Sequence, residues 1–95
     1  MASVECTGCG RRLTERAAGI STCPMGDELI HSYFLCPGCQ RWTVELYHDR
    51  FLGEDSLHVS GPLPLEAGQR DVDRIRSCPA PHDKWCACEV HRTWR

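Results

Sequence analysis

Ninety-five residues carrying 11 basic and 13 acidic side chains have a formal charge of −2, which gives no global attraction for phosphate backbones. The hydrophobic share of 41% counts all eight cysteines, so only two Phe, two Tyr and three Trp supply large aromatic bulk to an interior. A chain this small lies near the limit at which burial alone offsets chain entropy, and a metal or disulfides must make up the difference.

The first recognisable element is a knuckle, Cys6-Thr7-Gly8-Cys9-Gly10, whose last residue can take positive φ as the turn closes. Segment 11–27 is polar and weakly patterned, with Gly19, Pro24 and Gly26, and reads as a strand fragment followed by a loop. Residues 28–35 read as a strand leading into a second knuckle, Cys36-Pro37-Gly38-Cys39. In the return strand, 41–48, Trp42, Val44 and Leu46 alternate with Thr43, Glu45 and Tyr47, the period-2 pattern of a half-buried strand. A short strand at 56–60 adds Leu57 and Val59 to the same sheet, after which Gly61-Pro62 and Pro64 are expected to break the chain. Residues 65–77 suit a helix with Leu65, Gly68, Val72 and Ile75 on one face, stopped by Pro79 and Pro81. The expected fold is a small metal-stabilised β-rich hairpin or three-stranded sheet, with one helix leading to a C-terminal second metal site. The expected division is a ribbon-like unit over 1–60 and a helix plus metal-binding module over 61–95, packed as one globule.

Two residues between paired thiolates let the backbone turn tightly enough for both sulfurs to face one ion. Two such pairs, Cys6/Cys9 and Cys36/Cys39, therefore make a four-thiolate site of the kind expected for structural zinc. Residues 1–10 lack the basic stretch and apolar run of a secretory signal, and no segment approaches the length of a membrane span. A reducing, cytoplasmic setting is expected, where closely paired cysteines read as metal ligands rather than disulfides. The two knuckles resemble those of the zinc-ribbon and rubredoxin superfamily, over residues 4–48. That resemblance implies that both knuckles cap hairpins and clamp one ion. Gln40 departs from it, standing where a glycine is common. Iron is the alternative metal for four thiolates, although residues 11–20 lack the aromatic side chains that rubredoxins pack around theirs.

The C-terminal stretch supplies a second donor set. Cys86 and Cys88 point to the same side of an extended segment, Cys88-x-x-His91 repeats knuckle-like spacing, and Cys78 follows the helix. Cys78, Cys86, Cys88 and His91 make a Cys3His site, with His82 and Cys23 as competitors for the fourth position. Such a set also admits an iron–sulfur cluster, although the spacing matches no common ferredoxin run. Zinc at both sites would carry the formal charge from −2 to about −5.

No His-Glu-x-x-His, phosphate-cradling glycine loop or Gly-x-Ser-x-Gly is present, and four-ligand thiolate-rich sites leave no open metal position, so an enzyme is not expected. The leading expectation is a two-zinc interaction module docking a larger protein, with Trp85 and Trp94 beside the second site suited to apolar contact. The runner-up is nucleic-acid binding through Arg11, Arg12, Arg16 and Arg41, with Trp42 stacking on a base.

Overall fold

The computed structural model describes residues 3–50 and 52–94. The described residues form six strands and two helices: β1 (Val4–Glu5), β2 (Arg12–Leu13), β3 (Ala18–Thr22), β4 (Glu28–Leu35), β5 (Trp42–Asp49), β6 (Ser56–Leu63), α1 (Leu65–Ser77) and α2 (Glu89–Thr93). A 3-10 turn at Pro24–Gly26 joins β3 to β4. β1 and β2 make a small antiparallel ribbon, and the other four strands form an antiparallel sheet in the order β3-β4-β5-β6.

Trp42 organises one face of that sheet. It is 2% exposed, packs with Ile20, Tyr33, Val44, Val72, Ile75 and Trp94, and donates its indole N–H to the Leu65 carbonyl at 2.9 Å. A Cβ at Gly68 would lie 2.1 Å from Trp42 Cδ1, so the absence of a side chain there lets α1 lie flat on the indole. As expected, Gly68, Val72 and Ile75 are the buried face of α1, whereas Leu65 is exposed. The opposite face at the same end of the sheet is covered by the ribbon. Phe34 and its cross-strand partner Thr43 face it, Phe34 packing with Val4 and Leu13. Thr43 Oγ1 accepts from the Thr7 amide at 3.0 Å.

Four expectations are corrected here. The polar 11–27 segment contains a full strand of the main sheet, because β3 pairs along its length with β4, from Ala18 opposite Tyr33 to Thr22 opposite Leu29. Its small residues carried little periodic signal; cross-strand hydrogen bonding and tertiary cover hold it. β5 is buried on both faces near its start, since Thr43 is inaccessible and Glu45 only 8% exposed. β6 does not break at Gly61-Pro62 but continues to Leu63 opposite Trp42, with a bulge in register. Gly61, at φ 124° and joined to Pro62 by a cis peptide, lets this happen: a Cβ there would meet Thr7 Oγ1 and the Trp42 carbonyl at 2.8 Å. Leu57 and Val59 do join the sheet, but on its outer surface, 58% and 46% exposed. Finally, one helix is expected, and the C-terminal segment adds a second, the short α2 that carries His91.

Candidate metal centres

Each knuckle closes with the same backbone bonds. Gly10 N–H donates to the Cys6 carbonyl at 2.8 Å, and Gln40 N–H to the Cys36 carbonyl at 2.9 Å. Gly10 and Gln40 both take left-handed φ, 81° and 57°, so the place where glycine is common keeps its conformation with a glutamine in it. The Gln40 side chain donates to the Pro37 carbonyl at 3.1 Å across its own turn. The first knuckle joins β1 to β2 and the second joins β4 to β5, so both cap hairpins.

Packing of ribbon on sheet brings the two knuckles together. The sulfurs of Cys6, Cys9, Cys36 and Cys39 all lie within 4.8 Å of one another, with Cys6 and Cys39 at 3.4 Å and Cys9 and Cys36 at 3.6 Å. A disulfide requires about 2.0 Å. A tetrahedron of sulfurs about 2.3 Å from a central zinc has edges of about 3.8 Å, so these separations fit four donors around one ion.

The thiols of this cluster divide into two kinds. Burial opposes ionisation of Cys6, yet the Cys9 and Gly8 amides and the Cys39 and Cys9 thiols outweigh it and bring Cys6 down to about 6. The Gly8 amide stands 3.3 Å from its sulfur. Backbone amides of Cys39 and Gly38 likewise lower Cys36. Cys39 is pushed up to about 12, chiefly because it donates to Cys6, with burial adding to the effect. Cys9 is raised as well: the Arg11 amide favours its thiolate, but donation to Cys36 and Cys6 and burial together prevail. The backbone thus favours two thiolates before any cation is bound.

The second cluster comes from the end of α1, the loop after it and α2. Cys78, Cys86, Cys88 and His91 also place their donor atoms within 4.8 Å of one another. Cys78 Sγ stands 3.8 Å from Cys86 Sγ, 3.4 Å from Cys88 Sγ and 3.2 Å from His91 Nδ1. α2 explains the Cys88-x-x-His91 spacing: Cys88 caps the helix, its sulfur receives the His91 amide at 3.5 Å, and one turn returns the imidazole to the same side. Burial pushes Cys78 up to about 11, while the His91 amide and ring bring Cys88 down to about 6.

A residue seventy positions away orients the imidazole. His91 Nε2 donates to the Ser21 carbonyl at 3.0 Å, which leaves the Nδ1 lone pair facing the sulfurs, as metal-binding histidines require. The Ser21 amide in turn donates to the Pro81 carbonyl at 2.8 Å. Ser21 thereby holds the C-terminal module against the outer edge of β3. No local spacing could have identified it.

The competitors for the fourth position lie elsewhere. His82 is exposed, and Cys23 stands outside the four, though it borders a cavity of about 510 Å³ that Cys86, His91, His31 and Trp94 also line. Two expectations about tryptophans are corrected. Trp42 is in the core and cannot stack on a base. Trp94 is 9% exposed beneath the Arg74 guanidinium, so of the pair flanking this site only Trp85, at 71%, is open to a partner.

Both clusters are thiolate-rich sets that could hold metal ions, and they resemble the sites of zinc ribbons. No helix among the described residues is long and apolar enough to cross a membrane. Comparison with protein-family models, curated proteins and solved structures gives no match.

Proposed function

We propose that this chain is a non-catalytic docking protein of the cytoplasm whose fold is held by two zinc ions. Cys6, Cys9, Cys36 and Cys39 would hold one, tying the β1–β2 ribbon to the β4–β5 hairpin. Cys78, Cys86, Cys88 and His91 would hold the other, fastening the C-terminal module to the sheet. The observation that carries this reading is the closure of two separate sets of four donors, each within 4.8 Å.

Four soft ligands satisfy the tetrahedral preference of zinc and leave no position for a substrate, which argues for a structural role. Zinc is preferred to iron as the redox-inert default for such ligands. When bound, the ions supply fixed cross-links worth on the order of 10 kcal/mol to folding. The docking role is supported by the outer edge of β6, unpaired among the described residues, and by exposed Leu57, Val59 and Trp85.

The test is to purify the chain without oxygen, record its visible spectrum and weigh it by native mass spectrometry with elemental analysis. Two zinc ions and no colour are expected. Iron with a chromophore that bleaches on reduction would replace this reading with that of an electron carrier. A fold that survives strong chelation intact would defeat the structural role of the metals.

A further inference from the structure

Charge is segregated along the strands of the main sheet. β4 and β5 pair so that Glu28 faces Asp49 at one end and Leu35 faces Trp42 at the other, about 25 Å away. Asp27, Glu28 and Asp49 gather at the first end, where Tyr47 also donates to Asp55. The knuckle end instead carries Arg11, Arg12, Arg16 and Arg41, all exposed.

A cleft of about 450 Å³ opens at that end. Arg11, Arg12 and Arg16 line it, buried Leu13 and half-buried Leu35 provide apolar surface, and Glu15 is its only acid among the described residues. Among the described residues the ion pairs are His48–Asp27 and Lys84–Glu28, so no described carboxylate stands within 4.0 Å of these guanidiniums. Arg12 and Arg16 reach only the hydroxyls of Ser3 and Ser32, each at 3.4 Å. Three unpaired planar forks around apolar surface match carboxylates that accept bidentate hydrogen bonds.

We propose that this cleft docks an acidic peptide segment of a protein partner, its carboxylates on Arg11, Arg12 and Arg16 and an apolar side chain against Leu13 and Leu35. The inference rests on the reading of the chain as a docking protein and names the chemistry of what it docks. A peptide is favoured over nucleic acid because, among the described residues, no aromatic side chain lines the cleft to stack a base.

Fluorescence anisotropy on the full metal-loaded chain tests this. The probes are a labelled peptide of Asp and Glu with Leu at every third position, the same peptide with Gly for Leu, and a labelled oligothymidylate of equal charge. The Leu peptide should bind saturably, more weakly as salt rises, and more tightly than the other two probes. Combining Arg11→Glu with Arg12→Glu should weaken binding at least about tenfold, whereas Arg92→Ala, beside the other cavity, should leave it unchanged. Arg16→Gln is the second probe of the cleft, and amide spectra check that each variant is folded. Tighter binding of the oligothymidylate, or equal affinity in the folded Arg11→Glu, Arg12→Glu chain, overturns the proposal. Metal analysis of the same samples separates the two readings. A folded, metal-loaded chain that ignores the peptide refutes the cleft alone, while a folded metal-free chain that binds it upholds the cleft and refutes the metal reading.

Discussion

Gly68 is where one missing carbon sets the distance between helix and sheet. Alanine there gains about 1 kcal/mol in helix propensity but places a Cβ 2.1 Å from the Trp42 ring, so the ring or the helix must move. Gly68→Ala is expected to destabilise the chain by about 2 kcal/mol net, read as a lower urea midpoint at unchanged slope. His91 is the second informative residue, because its Nε2 bond to Ser21 leaves Nδ1 free to act as a ligand. His91→Ala should lower the metal count by one in native mass spectra. His82→Ala and Cys23→Ser should leave it unchanged, since neither residue joins the four-donor cluster; loss of an ion from the Cys23 variant would bring that thiol into the second site.

At the scale of elements, the two clusters differ in what depends on them. Cys36 lies at the turn between β4 and β5, the central strands of the sheet, and its cluster also anchors the ribbon that covers Phe34 and Thr43. Cys36→Ser should therefore unfold the ribbon and loosen the sheet, because the coordination energy lost exceeds the net stability typical of a domain. Cys86→Ser should release the C-terminal module and leave β4 and β5 paired, with amide shifts concentrated around His31 and Tyr33, against which Trp94 packs. Much of this level is legible in the sequence: β4 and α1 have the expected limits, and β5 is displaced by one residue. β3 and α2 were not legible. β3 has Ala18, Gly19 and Ser21 where a strand usually advertises itself with bulky residues, and α2 is a single turn capped by a cysteine.

For the molecule as a whole, pH and metal are linked through the thiols. Cys6 and Cys88 are lowered from 9.0 to about 6 in the folded chain, so the stability they contribute is fully present above pH 9 and lost as pH falls through 6. Cys39 and Cys78, raised to about 12 and about 11, act in the opposite sense and cost stability as pH climbs past 9. With the metals removed the chain is expected to be largely unfolded, and the folded fraction that remains should be highest near pH 9 and fall below it, as read from amide spectra across pH. Metal uptake at pH 7.5 must displace the protons that Cys9, Cys39 and Cys78 still hold. Titration of zinc into metal-free chain in dilute buffer should accordingly release at least about three protons per chain. Fewer would mean that these thiols are already ionised or do not bind.

The sequence alone determined that cysteine pairs would dominate the fold, which strands flank the second knuckle, and which face of α1 is apolar. These are local properties, readable from spacings of two to four residues. Only the tertiary structure decided that Ser21 orients His91, that β3 completes the sheet, that Trp94 is a core residue, and that Arg11, Arg12 and Arg16 share one cleft. Each depends on residues distant in the chain being packed together, with partners too far apart for any periodicity to reveal.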